Sequence, residues 1–210
     1  FTGDKQVLFS EKGDAFIMYQ RHGRSFVALG DPVGAPETHL ALLDDFIDLA
    51  DLNNCRAVFY QASSELLPLY INTGFQMSKL GEEAIVDLLN FNLEGSAHAK
   101  LRQTYNRAER SDLTFRIIQQ DETSAIMAEL KEVSDEWLSA KNMREKSFSL
   151  GRFEQNYLSR FPIALVEHAG VILAFANILT TGTKREATID LMRHSSNAPS
   201  GSMDYLFISL

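Results

Sequence analysis

Cysteine is nearly absent from this 210-residue sequence. Cys55 stands alone, so no intrachain disulfide can form, and a reducing compartment suits the chain. It opens the apolar run Arg56-Ala57-Val58-Phe59-Tyr60 and reads as a small buried residue at a strand entry, not as a nucleophile. Long apolar runs are missing too. No stretch reaches the ~18–20 residues that cross a bilayer. The most apolar region, 162–181, is broken by Glu167, His168 and Gly170. No signal peptide is visible at Phe1. Positive charge is in deficit: 20 Lys and Arg stand against 28 Asp and Glu, a net charge of −8. That opposes nucleic-acid binding over the whole surface but leaves room for a local basic patch. The histidines, 22, 39, 98, 168 and 194, are scattered, and none has the two-ligand spacing of a helical metal site. No Gly-x-Gly-x-x-Gly follows a strand, no Gly-x-Ser-x-Gly elbow is present, and no Walker-type phosphate loop occurs.

What is present suits a folded α/β protein. Hydrophobic residues make up 45% of the chain, enough for a sizeable core. Strands are expected at 15–20, 25–29, 57–61, 114–118, 163–167, 171–179 and 187–192, and 75–89 reads as extended. Helices are expected at about 36–52, with Leu40, Leu43, Ile47 and Ala50 inward, and at 64–72. Further helices follow at 96–110 capped by Ser96, from Asp121 with Ile126, Leu130, Val133 and Trp137 inward, at 152–160, and from about Ser202. Hairpin-joined strands with packed helices predict a mixed α/β or α+β sheet. Gly95 marks a joint between two modules, 1–94 and 95–210. The final helix has no stop signal, so the second module is expected to continue past Leu210.

Three groups of residues could carry chemistry. Lys100, Arg107 and Arg110 fall on one side of a helix, as a phosphate-binding face or an ordinary solvated one. Asp190 and Arg193 end an apolar strand. Three residues apart, they converge only if the strand ends or bulges between them; otherwise they are a structural ion pair at most. The loop 194–201 opens a helix, where free N–H groups can hold an anion. In acetyltransferases of the GNAT type this loop cradles coenzyme A with a Gln/Arg-x-x-Gly-x-Gly/Ala pattern. Here Arg193 lies eight residues before Gly201 and the second glycine is missing. Ser149, in Phe-Ser-Leu-Gly, reads locally as a cap or turn residue.

Several motifs, in order, resemble the catalytic domain of the bacterial phosphatidylglycerol lysyltransferases. They are Phe26-Val27-Ala28-Leu29-Gly30-Asp31-Pro32-Val33-Gly34, Lys79-Leu80-Gly81-Glu82-Glu83-Ala84, Asn106-Arg107-Ala108-Glu109 and Val133-Ser134-Asp135-Glu136-Trp137-Leu138. Glu145-Lys146, Phe148-Ser149-Leu150-Gly151-Arg152-Phe153, Ala174-Phe175-Ala176-Asn177, Ile189-Asp190-Leu191-Met192-Arg193 and Gly201-Ser202-Met203-Asp204-Tyr205-Leu206-Phe207 continue the match. The resemblance implies tandem GNAT-like modules, the second incomplete, on the cytoplasmic face of the bacterial cell membrane, joined to an N-terminal transmembrane domain. It implies transfer of a lysyl or alanyl group from aminoacyl-tRNA to a glycerol hydroxyl of phosphatidylglycerol, and with it resistance to cationic antimicrobial peptides. No cofactor and no metal is expected, because the aminoacyl ester is already activated. Asp190 and Arg193 match the catalytic strand; Arg107, Lys146, Ser149, Met203 and Asp204 are expected to bind substrate. An ordinary carboxylate is a weak base for an alkyl hydroxyl, so Asp190 is expected mainly to hold the ammonium group of the aminoacyl moiety. Arg193, with its planar fork, is assigned to a phosphate. A coenzyme A-dependent N-acetyltransferase and a non-catalytic tRNA- or membrane-binding module are the alternatives.

Overall fold

The computed structural model describes residues 2–210. Its two compact units divide between Ala84 and Ile85, and each carries its own four-stranded sheet. The expected mixed α/β class is what forms.

In the first unit the sheet runs β1 (Gln6–Phe9), β2 (Phe16–His22), β3 (Ser25–Leu29) and β4 (Arg56–Tyr60), in that order. The strand β1 was not anticipated from the sequence. The pairs β1–β2 and β2–β3 are antiparallel, whereas β3 and β4 are parallel. A parallel pair needs a crossover, and α1 (His39–Leu52) supplies it after a 3₁₀ turn at Pro36–Thr38. The buried face of α1 is Leu42, Leu43, Phe46 and Ala50. Leu40, expected inward, is half exposed, while His39 is buried; the buried arc lies about one position nearer the N-terminus than the periodicity suggested. These residues pack on Ile17, Tyr19, Phe26 and Ala28 with Tyr70 from α2 (Leu67–Asn72). Cys55 is a buried free thiol, as its setting implied.

The Gly30–Gly34 loop is tied down locally. The Asp31 carboxylate accepts the Ser63 N–H at 3.2 Å and the Tyr70 hydroxyl at 2.8 Å. Burial and this bond push the Tyr70 hydroxyl well above the ordinary phenol range, so it stays a donor. Gly34 has φ +139°, and a Cβ there would lie 2.8 Å from the Ala15 Cα. Gly34→Ala should therefore cost about 1–3 kcal/mol through overpacking. Thermal unfolding would register this as a lowered midpoint, and an unchanged midpoint would show that the loop yields freely.

The second unit holds α3 (Ala99–Arg110), β5 (Leu113–Ile118), α4 (Met127–Ala140), α5 (Gln155–Leu158), β6 (Ile163–His168), β7 (Val171–Thr180), β8 (Ala187–His194) and α6 (Ser202–Ser209). Its sheet is antiparallel throughout, ordered β5-β6-β7-β8. Alternation along β6 sends Ala164 and Val166 to one face and Ile163 and Leu165 to the other. The first face is covered by α3 and α6 through Ala108, Tyr205 and Leu206. The second is covered by α4 and α5 through Leu130, Val133, Tyr157 and Leu158.

Three expectations fail here. The segment 75–89 forms no strand. Ser96 caps nothing; α3 begins after His98 without a side-chain cap. Asp121 does not cap α4 either, because a 3₁₀ turn at Thr123–Ile126 intervenes and Glu122 instead accepts the Gln119 N–H at 2.9 Å.

Candidate active site

Asp190 and Arg193 converge because β8 bulges. Ala176 pairs with Met192 and Ile178 with Ile189, so one β7 residue, Asn177, opposes two on β8, Asp190 and Leu191. Asn177 is fully buried, and its Oδ1 accepts the Leu191 N–H at 2.7 Å, doing the work of a ladder carbonyl. The extra residue shifts the alternation. Leu191 and Arg193 both point to the α4–α5 face, and Asp190 reaches Tyr157 on that same face.

The Asp190 carboxylate is held from two sides. Gly151 N–H lies 2.9 Å from both of its oxygens. The Tyr157 hydroxyl donates to Oδ2. Burial, then the bond to Asp190, raises the Tyr157 hydroxyl well above the phenol range, while the Asn177 side chain acts in the opposite sense. Tyr157 is therefore a fixed donor, and Asp190 keeps acceptor capacity for a substrate cation.

Arg193 is 9% exposed. Its guanidinium stacks on Trp137 of α4, 4.3 Å from the ring centroid. Nη1 donates to its own strand at Met192 O, 2.9 Å, and Nη2 donates to Glu145 at 3.2 Å. Burial lowers the Arg193 pKa from its ordinary value, and the negative charges of Glu145 and Asp190 oppose that shift. The charge of Asp190 thus reaches Arg193 without a direct contact.

The other residues singled out from the sequence divide. Ser149 is half-buried on the loop that delivers Gly151, and Lys146 is exposed beside Glu145. Met203 packs into the core on the α3–α6 face, the far side of the sheet from Asp190, and Asp204 is exposed on the same helix. Arg107 is exposed on α3, near the start of α6: a Cβ added at Gly201 would lie 3.3 Å from its Nη2. Asp190 and Arg193 are thus brought together; Arg107, Met203 and Asp204 belong to the other face. Gly151, Asn177, Trp137 and Glu145 stand in the motifs quoted above without a site role, and Tyr157 lies outside them. A glycine lodged between Phe-Ser-Leu and Arg-Phe was the one available signal, since close approach often demands glycine. Two surface clefts of about 460 and 500 Å³ lie elsewhere, one near Arg24 and Arg56, the other near His168 and Asn197.

The loop after β8 is anchored to α4. The Ser196 hydroxyl donates to Glu136. Hydrogen bonds from Ser195 and Ser196, with the charge of His194, hold the Glu136 carboxyl below its ordinary value. A depressed carboxyl stabilises the fold above its unfolded pKa, and that contribution is lost as pH falls through the lower folded value. Acidification below pH 4.5 should therefore loosen this anchor. Hydrogen exchange at Asn197, whose N–H donates to Ser195 Oγ at 3.1 Å, should rise there in the native chain but be raised already at neutral pH in Glu136→Gln. Equal exchange in both proteins would remove Glu136 as the anchor.

Fold and site together define a two-sheet α/β protein with a carboxylate and a guanidinium gathered on one sheet face by a bulge. Comparison with known proteins specifies the family. The family model for the C-terminal part of phosphatidylglycerol lysyltransferase matches residues 1–210. The phosphatidylglycerol lysyltransferase of Bacillus subtilis is 42% identical over 211 residues, covering 100% of this chain and 24% of its own length. L-PGS of Bacillus licheniformis superimposes with a TM-score of 0.90 at 42% identity, covering 99% of this chain and 64% of that one. A C-terminal domain from Agrobacterium fabrum, described as that of a lysylphosphatidylglycerol synthetase, gives 0.93 at 50% identity, covering 99% and 66%. The chain belongs to the phosphatidylglycerol lysyltransferase C-terminal family. It spans about a quarter of the length of the curated relatives it matches.

Proposed function

We propose that this chain carries part of the aminoacyl-transfer site of a phosphatidylglycerol lysyltransferase. The reaction moves a lysyl group from aminoacyl-tRNA to a glycerol hydroxyl of phosphatidylglycerol. The observation that carries the reading is the β8 bulge that sets Asp190 and Arg193 on one face. One ester replaces another, so catalysis rests on positioning and on stabilising the tetrahedral oxyanion. The glycerol oxygen bonds to the aminoacyl carbonyl carbon, the ribose oxygen leaves, and the proton passes from one hydroxyl to the other. Asp190, fixed by Gly151 and Tyr157, holds the ammonium group of the aminoacyl moiety. Arg193 takes a phosphate. The tandem modules are of the GNAT type and use no coenzyme A. In the whole protein they work at the cytoplasmic face of the membrane, beside an N-terminal transmembrane domain. Among the described residues no helix is long and apolar enough to cross a membrane. The product lowers the negative charge of the membrane and so protects against cationic antimicrobial peptides.

The full-length protein, given labelled Lys-tRNA and phosphatidylglycerol vesicles, should make labelled lipid, with Ala-tRNA as the parallel donor. Absence of labelled lipid with both donors would defeat the reading. Arg107, with Lys100 and Arg110 on the exposed side of α3, serves as a tRNA contact. Arg107→Glu should reduce the slope of log affinity against log salt by about 1 for tRNA binding. An unchanged slope would take α3 out of the interface.

A further inference from the structure

The hydrogen bonding of Arg193 is incomplete in an informative way. An arginine presents two N–H edges that match a pair of oxygens. Here the Nε–Nη2 edge holds one oxygen of Glu145, on Nη2 at 3.2 Å, long for a charge-assisted bond. Nε is buried and has no hydrogen-bond partner among the described residues. A buried donor left unpaired is unfavourable, so this edge is better suited to a ligand than to the group it holds. The guanidinium is not free to turn away and find one: it sits over the Trp137 ring, 4.3 Å from the centroid, and its other edge is tied to Met192 O. Glu145, by contrast, sits in a stretch of 141–154 with no helix or strand. Asn142 and Phe148 flank it at φ +49° and +80°, and a bulky side chain rarely adopts the latter. The Glu145 side chain is 29% exposed against 11% for that of Arg193, and its stretch is mostly exposed, so Glu145 is the movable member of the pair.

We propose that the Nε–Nη2 edge of Arg193 is the receptor for the phosphate diester of a glycerophospholipid headgroup, and that Glu145 is an internal anion occupying it until the headgroup arrives. This rests on the reading of Arg193 as a phosphate contact. The two non-bridging oxygens of a phosphodiester satisfy Nε and Nη2 together, which the single Glu145 oxygen does not. Entry exchanges one anion for another, so the buried cation is never left unpaired. Neutral or cationic headgroups without an accessible phosphate gain nothing from the exchange. The lipid headgroup is favoured over an RNA phosphate because Arg193 is one buried cation, whereas RNA is met by several exposed ones.

Trp137 is the sole tryptophan of the chain and reports directly on Arg193. Its emission should change saturably as the chain is titrated with glycerophosphoglycerol, the deacylated headgroup. Glu145→Gln removes the competing anion and should bind at least about ten-fold tighter, as expected when a closed form masks the site. Arg193→Gln should lose the response. In Glu145→Gln the amide keeps an acceptor for Nη2, so this variant should remain folded with a modestly lower thermal midpoint, and its tighter binding is read on the folded protein. Equal or weaker binding by Glu145→Gln overturns the exchange. A response to a short RNA oligonucleotide but not to glycerophosphoglycerol overturns the lipid assignment. Neither readout involves lysyl transfer: transfer by a full-length enzyme lacking the exchange sinks only this inference, and exchange without transfer sinks only the proposed function.

Discussion

Gly151→Ala should cut transfer by about 100-fold in the full-length enzyme while leaving most of the protein folded. The position does not need glycine for its backbone angle; it needs the space. A Cβ there would collide with Oδ2 of Asp190 and lie 2.9 Å from the Tyr157 Cζ. Neither neighbour is free to move. Tyr157 is buried in the core beneath α4, and Asp190 is on a bulge fixed by Asn177. The methyl group must therefore push Asp190 out of the grip of the Gly151 N–H and the Tyr157 hydroxyl together. Overpacking of this kind costs about 1–3 kcal/mol of stability. A displacement of about 1 Å at a positioned group costs about 100-fold in rate. The loss of activity should therefore greatly exceed what the drop in melting midpoint explains. A variant that melts lower yet transfers normally would show that Asp190 does not need this clamp.

Arg193→Lys should cost about 100-fold or more in transfer, although charge is conserved. Lysine cannot stack a planar group on Trp137 and cannot offer two parallel N–H donors to one phosphate. Its ammonium, more strongly hydrated, would also sit poorly in a position only 9% exposed. The deficit should fall on the lipid: the apparent KM for phosphatidylglycerol rises with little change in that for Lys-tRNA. A deficit confined to the tRNA would move Arg193 to the donor side.

The sequence displayed the strand bearing Asp190 and Arg193, and it displayed the condition for their meeting, a bulge between residues three apart. It did not display the bulge. That depends on Asn177, fourteen positions before Leu191, whose amide oxygen replaces a backbone acceptor across the ladder. An asparagine in an apolar strand has no such meaning until its partner strand is known. Tyr157 was hidden for a related reason: it sits on a helix of only 4 residues, too short for periodicity to assign a face. Trp137 read correctly as part of the inward face of α4, but the cation stacked on it comes from a strand far along the chain. The α1 face drifted by one position because Leu40 and Ile47 fit a helical stripe as well as Leu42 and Phe46 do. Ser96 and Asp121 are good cap residues by type, yet neither side chain meets the free N–H groups of a helix start. Family motifs marked the Gly151 loop and the Asp190 strand separately; only the fold joins them.

The most direct test of the site is single-turnover transfer of labelled lysine from Lys-tRNA to phosphatidylglycerol by full-length enzyme carrying Asp190→Asn. This substitution keeps the shape and one acceptor oxygen but removes the charge that is to hold the aminoacyl ammonium. Transfer should slow about 100-fold or more, well beyond what any drop in melting midpoint explains. Near-normal transfer by the folded variant would contradict this role of Asp190.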